Sequence, residues 1–282
     1  MKIAVSAETT VDLTKELLEK FDVKTVPYSV ILGDEVRWDG EISNEELTWF
    51  VNKHKKLPKT CAVNTEQFTE HFKKLAQEYD AVIHFSLSSH LSSAYENALS
   101  SAKDFKNIYV VDSKSLSSGI GLLAIYARKL ADSGCEPQEI YEKCLKRVPY
   151  VQVSSALKRV DYLYLGGRCG MLALLGANIL RIRPQIIIKD GKIYCGKKYR
   201  GNFERVVARY VADTLEQFNN PDLSTAIVAY TTAPKEIVES TVKTLKERGF
   251  KDVFITRAGA TVTSHCGEEC LGIYYINDGG NV

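Results

Sequence analysis

Short runs of β-branched and aromatic residues alternate along this chain with longer stretches whose apolar residues recur at helical spacing. No other feature restricts the fold as much. A strand, a covering helix and a returning strand build a parallel sheet with helices packed outside it. The first half reads this way throughout: a strand over 2–5, a helix over 13–20, and a strand-like run over 23–32 ended by a Gly33-Asp34 turn. Ser43 with Glu46, and Asn64 with Gln67, have the spacing of capping boxes that open helices reaching about residues 53 and 78. Strands follow over 81–87 and 108–111, with helices over 92–102, 122–131 and 138–147.

The pattern changes after about residue 150. A strand over 151–157 leads into a glycine-rich stretch over 163–180 that is helical in parts, and 186–199 reads as a hairpin around Asp190-Gly191. An amphipathic helix over 203–218, a strand over 225–230, a helix over 234–247 started by Pro234, and strands over 253–256 and 271–275 complete the chain. Its 282 residues contain no repeat and no long linker, so the expected fold is α/β, with two domains packed directly together. These are an N-terminal domain over 1–150 and a C-terminal domain over 151–282, each with a largely parallel sheet flanked by helices.

Composition removes several function classes. Net charge is only +2 and the signs are interleaved, which argues against nucleic acid or an anionic membrane as a partner of the whole molecule. No apolar run approaches the roughly 18 to 20 residues of a membrane span, and the N-terminus turns acidic and polar too soon for a signal peptide. Seven scattered cysteines, an odd number, suit a reduced cytoplasmic chain better than a disulfide framework.

Chemistry in such folds sits just beyond the strand carboxyl ends. The clearest candidate is Ser86-Leu87-Ser88-Ser89-His90-Leu91-Ser92-Ser93-Ala94-Tyr95, four of whose serines lie between a strand and a helix start. Free backbone N–H groups and the helix dipole there favour an anion, while Ser92 serves equally well as a plain helix cap. Thr60-Cys61-Ala62-Val63-Asn64 is a second hydroxyl-bearing loop, and Asp112 in Val111-Asp112-Ser113-Lys114-Ser115 is placed to hold N–H groups of its own loop. Gly166-Gly167-Arg168-Cys169-Gly170 has the wrong spacing for a dinucleotide fingerprint, and there is no P-loop lysine motif. His265, Cys266 and Cys270 lie too close together, without a convincing fourth ligand, to make a metal site.

These segments, in this order, resemble the DegV family. Ala7-Glu8-Thr9-Thr10-Val11-Asp12-Leu13 resembles its Asp-Ser-Thr-x-Asp-Leu opening, with Glu8 where the family has Asp. Leu57-Pro58-Lys59-Thr60-Cys61 resembles its Thr-Ser loop, and His90-Leu91-Ser92-Ser93-Ala94-Tyr95 its Gly-Leu-Ser-Gly-Thr-Tyr loop. Val111 to Ser115, Gly166-Gly167-Arg168, Arg183-Pro184 and Thr263-Ser264-His265-Cys266-Gly267 follow in register, so the resemblance covers nearly the whole chain.

The resemblance implies a carrier without activity of its own that holds a long-chain fatty acid and presents it to a fatty acid kinase, whose catalytic subunit forms an acyl phosphate for phospholipid synthesis. No cofactor is implied beyond the bound acid. Carried over by position, Thr60, Ser92, Cys61 and Ser93 hold the carboxylate, and Arg200 and His265 stand near the head group or serve the handover. Cys61 replaces the family serine and is a poorer donor, and His90 and Ser93 replace two glycines. Arg168, Arg181, Arg183, Lys197, Lys198 and Arg200 form a basic stretch around the hairpin, suited either to a partner or to plain solvation. The main alternative is a serine hydrolase acting on acyl esters with Ser92 as nucleophile and His265 as base, although Ser92 lacks the Gly-x-Ser-x-Gly elbow. A nucleotide or sugar-phosphate enzyme is a third reading.

Overall fold

The computed structural model describes residues 1–168 and 182–281. The helical expectation over 169–180, with Cys169 and Arg181, lies outside them. In the first half, β1 (Ile3–Glu8) runs through a 3₁₀ turn (Thr9–Val11) into α1 (Lys15–Lys20). Then come β2 (Val23–Val26), β3 (Ser29–Leu32), β4 (Glu35–Trp38), α2 (Asn44–His54), β5 (Lys59–Cys61) and α3 (Thr65–Glu78). The half closes with β6 (Ala81–Ser86), α4 (Ala94–Ala102), β7 (Ile108–Asp112), α5 (Ser118–Asp132) and α6 (Pro137–Arg147). The second half contains β8 (Val151–Ala156), α7 (Asp161–Leu165), β9 (Ile182–Lys189), β10 (Lys192–Arg200) and α8 (Phe203–Gln217). It ends with β11 (Thr225–Tyr230), α9 (Lys235–Glu247), β12 (Asp252–Arg257), α10 (Ala260–Cys266) and β13 (Leu271–Ile276).

Local rules set several of these elements. Asn64 and Gln67 form a complete capping box, each side chain bonding the other's backbone N–H. Ser43 accepts from Glu46 N at 3.1 Å, but the Glu46 carboxylate is taken by Arg37 at 2.5 Å, so the second expected box is one-sided. Asp190 (φ 49°) and Gly191 (φ 78°) both have positive φ, as a two-residue turn between β9 and β10 requires.

The first sheet, in the order β2-β1-β6-β7, is parallel throughout, as the alternation predicts. The second, β10-β9-β8-β13-β11-β12, is mixed: only β11 and β12 are parallel. This corrects the expectation of a largely parallel second sheet. A two-residue turn joins antiparallel strands only, and β13 enters antiparallel between β8 and β11. The run over 23–32 is also not one strand. Pro27 offers no N–H to a ladder, so β2 stays in the parallel sheet while β3 pairs with β4 and β5 in a small antiparallel sheet. Tyr28 sits at the break.

The main apolar cluster is shared by both halves, with Val5, Ile83, Phe85, Ile120 and Leu123 packed alongside Val153, Ile227 and Tyr274. A second cluster lies around α8, β11 and β13, built from Val206, Tyr210, Val228, Ile273 and Tyr275. No helix among the described residues is long and apolar enough to cross a membrane.

Candidate ligand-binding site

Where the loops after β1, β2 and β6 meet α10, the end of α7 and the start of β10, the chain encloses a cavity of about 560 Å³, open solvent at its rim included. Its polar lining is Thr10, Tyr28, Thr60, Ser92, Thr261, Arg168 and His265, and its apolar lining includes Leu87, Leu91, Leu116, Leu163, Ile193 and Val262. A second cavity of about 490 Å³, measured the same way, shares Leu116, Leu163, Ile193, Val262 and Cys266 with the first. Val153, Leu157, Ile186, Ile188, Ala229 and Tyr274 continue its wall. A few polar groups converging at one part of an apolar space is the usual composition of small-molecule sites.

The hydroxyls come from short elements whose geometry decides which side chain faces inward. On β5 the residues alternate, so Lys59 and Cys61 are exposed while Thr60 turns in and its Oγ1 lies 3.0 Å from His265 Nε2. Cys61 is therefore not part of the lining. Ser92 is held in the turn after β6, where Asp112 accepts from Ser89 N, Ser89 Oγ and Lys114 N, the loop-holding role expected of it. Glu8, standing where a family aspartate is expected, accepts from Ser86 Oγ at 2.6 Å and Leu87 N at 2.9 Å, which fixes the strand end leading into that turn.

Ser92 Oγ meets Tyr28 Oη at 2.7 Å and accepts from Ala94 N at 3.1 Å. The two readings of Ser92 thus coexist, since it satisfies a helix-start N–H and also lines the cavity. Helix α4 itself begins two residues later than expected, at Ala94, and Ser93 at its N-cap is exposed, makes no capping bond and lies outside the lining.

Arg200 is likewise not brought to the site. It is exposed at the far end of β10, seven residues from Ile193, or about 23 Å at roughly 3.3 Å per residue. Among the described residues, the cation that does reach the lining is Arg168, which donates to Gly166 O at 2.7 Å. His265 lies in the last turn of α10, not in a loop. Burial, reinforced by the charge of Arg168, lowers its pKa to about 4, so the ring is neutral at ordinary pH. Its Nδ1 is buried without a partner, and a Cβ on Gly166 would come within 2.5 Å of that atom, so only glycine fits there unshifted. His265 bonds Thr60, and Ser92 bonds Tyr28, so the nucleophile–base pair of the hydrolase reading is not assembled.

Two acids that motif reading left unassigned anchor the wall. Asp12 Oδ1 accepts from Gly259 N at 2.8 Å and Asp39 Oδ1 accepts from Ala260 N at 2.7 Å. Between them they grip the start of α10, the helix that presents Val262, His265 and Cys266 to the cavity. Burial raises the Asp12 pKa to about 8, against the opposing bonds from Ser117 and Gly259. A carboxyl whose folded value lies above its unfolded one stabilises the fold fully below the unfolded value. That contribution is lost as pH rises through the folded value. Thermal stability is therefore expected to fall between about pH 4 and 8, by at most about 1.4 kcal/mol per pH unit from this group. Asp12→Asn should flatten that slope in melts recorded across the range. An unchanged slope would show that Asp12 is ionised throughout.

The model of the DegV family, a family of uncharacterised proteins, matches residues 2–278. A fatty acid-binding protein of Thermotoga maritima is 28% identical over 281 residues, with 96% of each chain covered. Among solved structures, a stearic acid-binding protein from Eubacterium ventriosum is 25% identical with a TM-score of 0.86, covering 99% of this chain and all of the other. A fatty-acid-binding DegV family protein from Thermus thermophilus has a TM-score of 0.90 at 22% identity, with 98% of this chain and all of the other covered, which is a likeness of fold.

Proposed function

The chain belongs to the DegV family, and from that premise we propose that it is a carrier that binds one long-chain fatty acid and catalyses nothing unaided. One observation carries this reading: hydroxyls of Thr60 and Ser92, with neutral His265, converge in a cavity whose apolar wall continues into a second apolar space. A buried carboxylate needs donors, and each charge-assisted hydrogen bond contributes about 1.5–3 kcal/mol. Burying the tail contributes about 0.8 kcal/mol per methylene, or about 11 kcal/mol gross for fourteen, before ordering and association costs are subtracted. The tail thus dominates affinity, and the hydroxyls decide which end of the ligand sits at the polar lining. Fatty acid binding by the bacterial relatives supports the same ligand class here.

The proposal extends to handover. The bound carboxylate is presented to the catalytic subunit of a fatty acid kinase, which supplies ATP, and the carrier needs no cofactor of its own. Arg168 beside the carboxylate suits this step, because a guanidinium favours both the acid and the developing acyl phosphate. The test is mass spectrometry of lipid extracted from the purified protein, followed by incubation of the loaded protein with ATP, with and without a cognate kinase. Retained fatty acid, and acyl phosphate only with the kinase, are expected. An empty cavity after purification and no uptake of added fatty acid would end the carrier reading. Acyl phosphate from the protein alone would make it an enzyme.

A further inference from the structure

We infer that Tyr28 is a positioning residue of this site: its phenol orients the Ser92 hydroxyl so that the serine proton is offered to the cavity, favouring the ionised carboxylate of a free fatty acid over the neutral ester or alcohol. The inference rests on the carrier reading and names the ionisation state and class of its ligand.

The argument is one of lone pairs. A serine hydroxyl has one proton and two acceptor sites. Ser92 Oγ accepts from Ala94 N at 3.1 Å and shares a 2.7 Å bond with Tyr28 Oη. A phenol is the stronger acid of the two, so Tyr28 donates and Ser92 accepts. Both acceptor sites of Ser92 are then filled, and its own proton is free only toward the cavity. Tyr28 is well fixed for this task. Its N donates to Thr9 Oγ1 at 3.1 Å, its O accepts from Asp39 N at 2.8 Å, and the residue is 3% exposed. Burial also raises the phenol's pKa well above its ordinary value, so the proton it donates is always present.

Thr60 reaches the same polarity by a different partner. His265 Nδ1 is buried and unpartnered, and an orphaned buried N–H is rarer than an unfilled acceptor. The ring proton therefore sits on Nε2 and is donated to Thr60 Oγ1 across 3.0 Å, which leaves the Thr60 proton for the cavity. Thr10 Oγ1, fully buried, without a partner and in the same lining, offers a third hydroxyl. Among the described residues lining this cavity the only formal charge is that of Arg168, and no carboxylate is present. An alcohol can use the free acceptor sites of Thr10 and Thr261, but neither it nor an ester has an anionic oxygen to share among the donors and Arg168.

The test compares palmitate with hexadecanol, two ligands with the same tail, by displacement of a fluorescent fatty acid from the wild-type protein and from Tyr28→Phe. Wild type is expected to favour palmitate by about tenfold or more, as loss of charge-assisted bonds dictates. Tyr28→Phe should weaken palmitate about three- to tenfold and leave hexadecanol within about twofold, since one hydroxyl loses its orientation but the tail cavity is untouched. A structural defect would weaken both ligands alike, and that result would overturn the assignment, as would an unchanged palmitate-to-hexadecanol ratio. The wild-type ratio needs no variant to fold, and parity there would overturn the carboxylate-selective site. Failure of wild type to bind palmitate at all would overturn the carrier reading, and this inference with it.

Discussion

Replacing Thr60 and Ser92 together with alanine is expected to weaken fatty acid binding by about a hundredfold to ten-thousandfold, while the fold survives. Each substitution removes one hydroxyl donor to a buried carboxylate, worth about 1.5–3 kcal/mol, and every 1.4 kcal/mol is tenfold in affinity. Singly, either change should cost about ten- to a hundredfold. The structural cost is small by comparison. Thr60 loses its bond to His265, and Ser92 loses those to Tyr28 and Ala94 N, the latter a capping-type contact of about 1 kcal/mol. Calorimetric titration with palmitate, alongside melting curves of the same preparations, separates the two effects. Affinity within about threefold of wild type in the double variant would show that the carboxylate lies elsewhere.

The largest expected loss of stability comes from a residue outside the lining of either cavity. Arg147, in the last turn of α6, donates to Asp278 Oδ2 at 2.7 Å and Oδ1 at 2.8 Å, and to Asp222 Oδ2 at 2.6 Å. Its side chain is 5% exposed, that of Asp278 is 1% exposed and that of Asp222 is 15% exposed, so the triad joins α6 to the loop before β11 and the segment after β13 inside the protein. Arg147→Ala strands these carboxylates without their cation, at a cost of about 3–5 kcal/mol.

The pH dependence carries a definite sign. Burial pushes the Asp222 carboxyl up, but the bonds from Arg147 and Ser224 and the charge of Arg147 together outweigh it, with a net shift below the ordinary carboxylate range. A group so depressed contributes stability that is present above its unfolded value of about 3.9 and is lost as pH falls through the folded one. The gap between Arg147→Ala and wild type should therefore be full at pH 7 and shrink in acid below about pH 4. Urea unfolding at both pH values measures it. A gap under 1 kcal/mol at pH 7, or one that does not change with pH, would refute the assignment.

What the sequence determined by itself lies within a few residues of chain. The Asn64–Gln67 capping box, the Asp190-Gly191 hairpin turn and the strand–helix alternation that builds the first parallel sheet all appear as expected. Each depends on hydrogen bonds and periodicities internal to one segment, which residue types at fixed spacing specify. The loops of Thr60 and Ser92 were legible as hydroxyl-bearing segments at strand ends, His265 as a site residue only through a family motif, and Tyr28 gave no such signal, because it was hidden within an apparent strand that Pro27 interrupts.

Tertiary structure decided the rest. Pairing with β3 set the face of β5, so Thr60 points inward and Cys61 outward. The extended path of β10 carried Arg200 away from the lining that Arg168 reaches. The placement of β13 between β8 and β11 made the second sheet mixed. The bonds that define the site join residues remote in sequence: Tyr28 to Ser92 across 64 positions, and Thr60 to His265 across 205. Local propensity carries no information over such separations. Which side chains meet is set by how whole elements pack once their apolar faces are buried, so the geometry of the candidate site exists only in the folded chain.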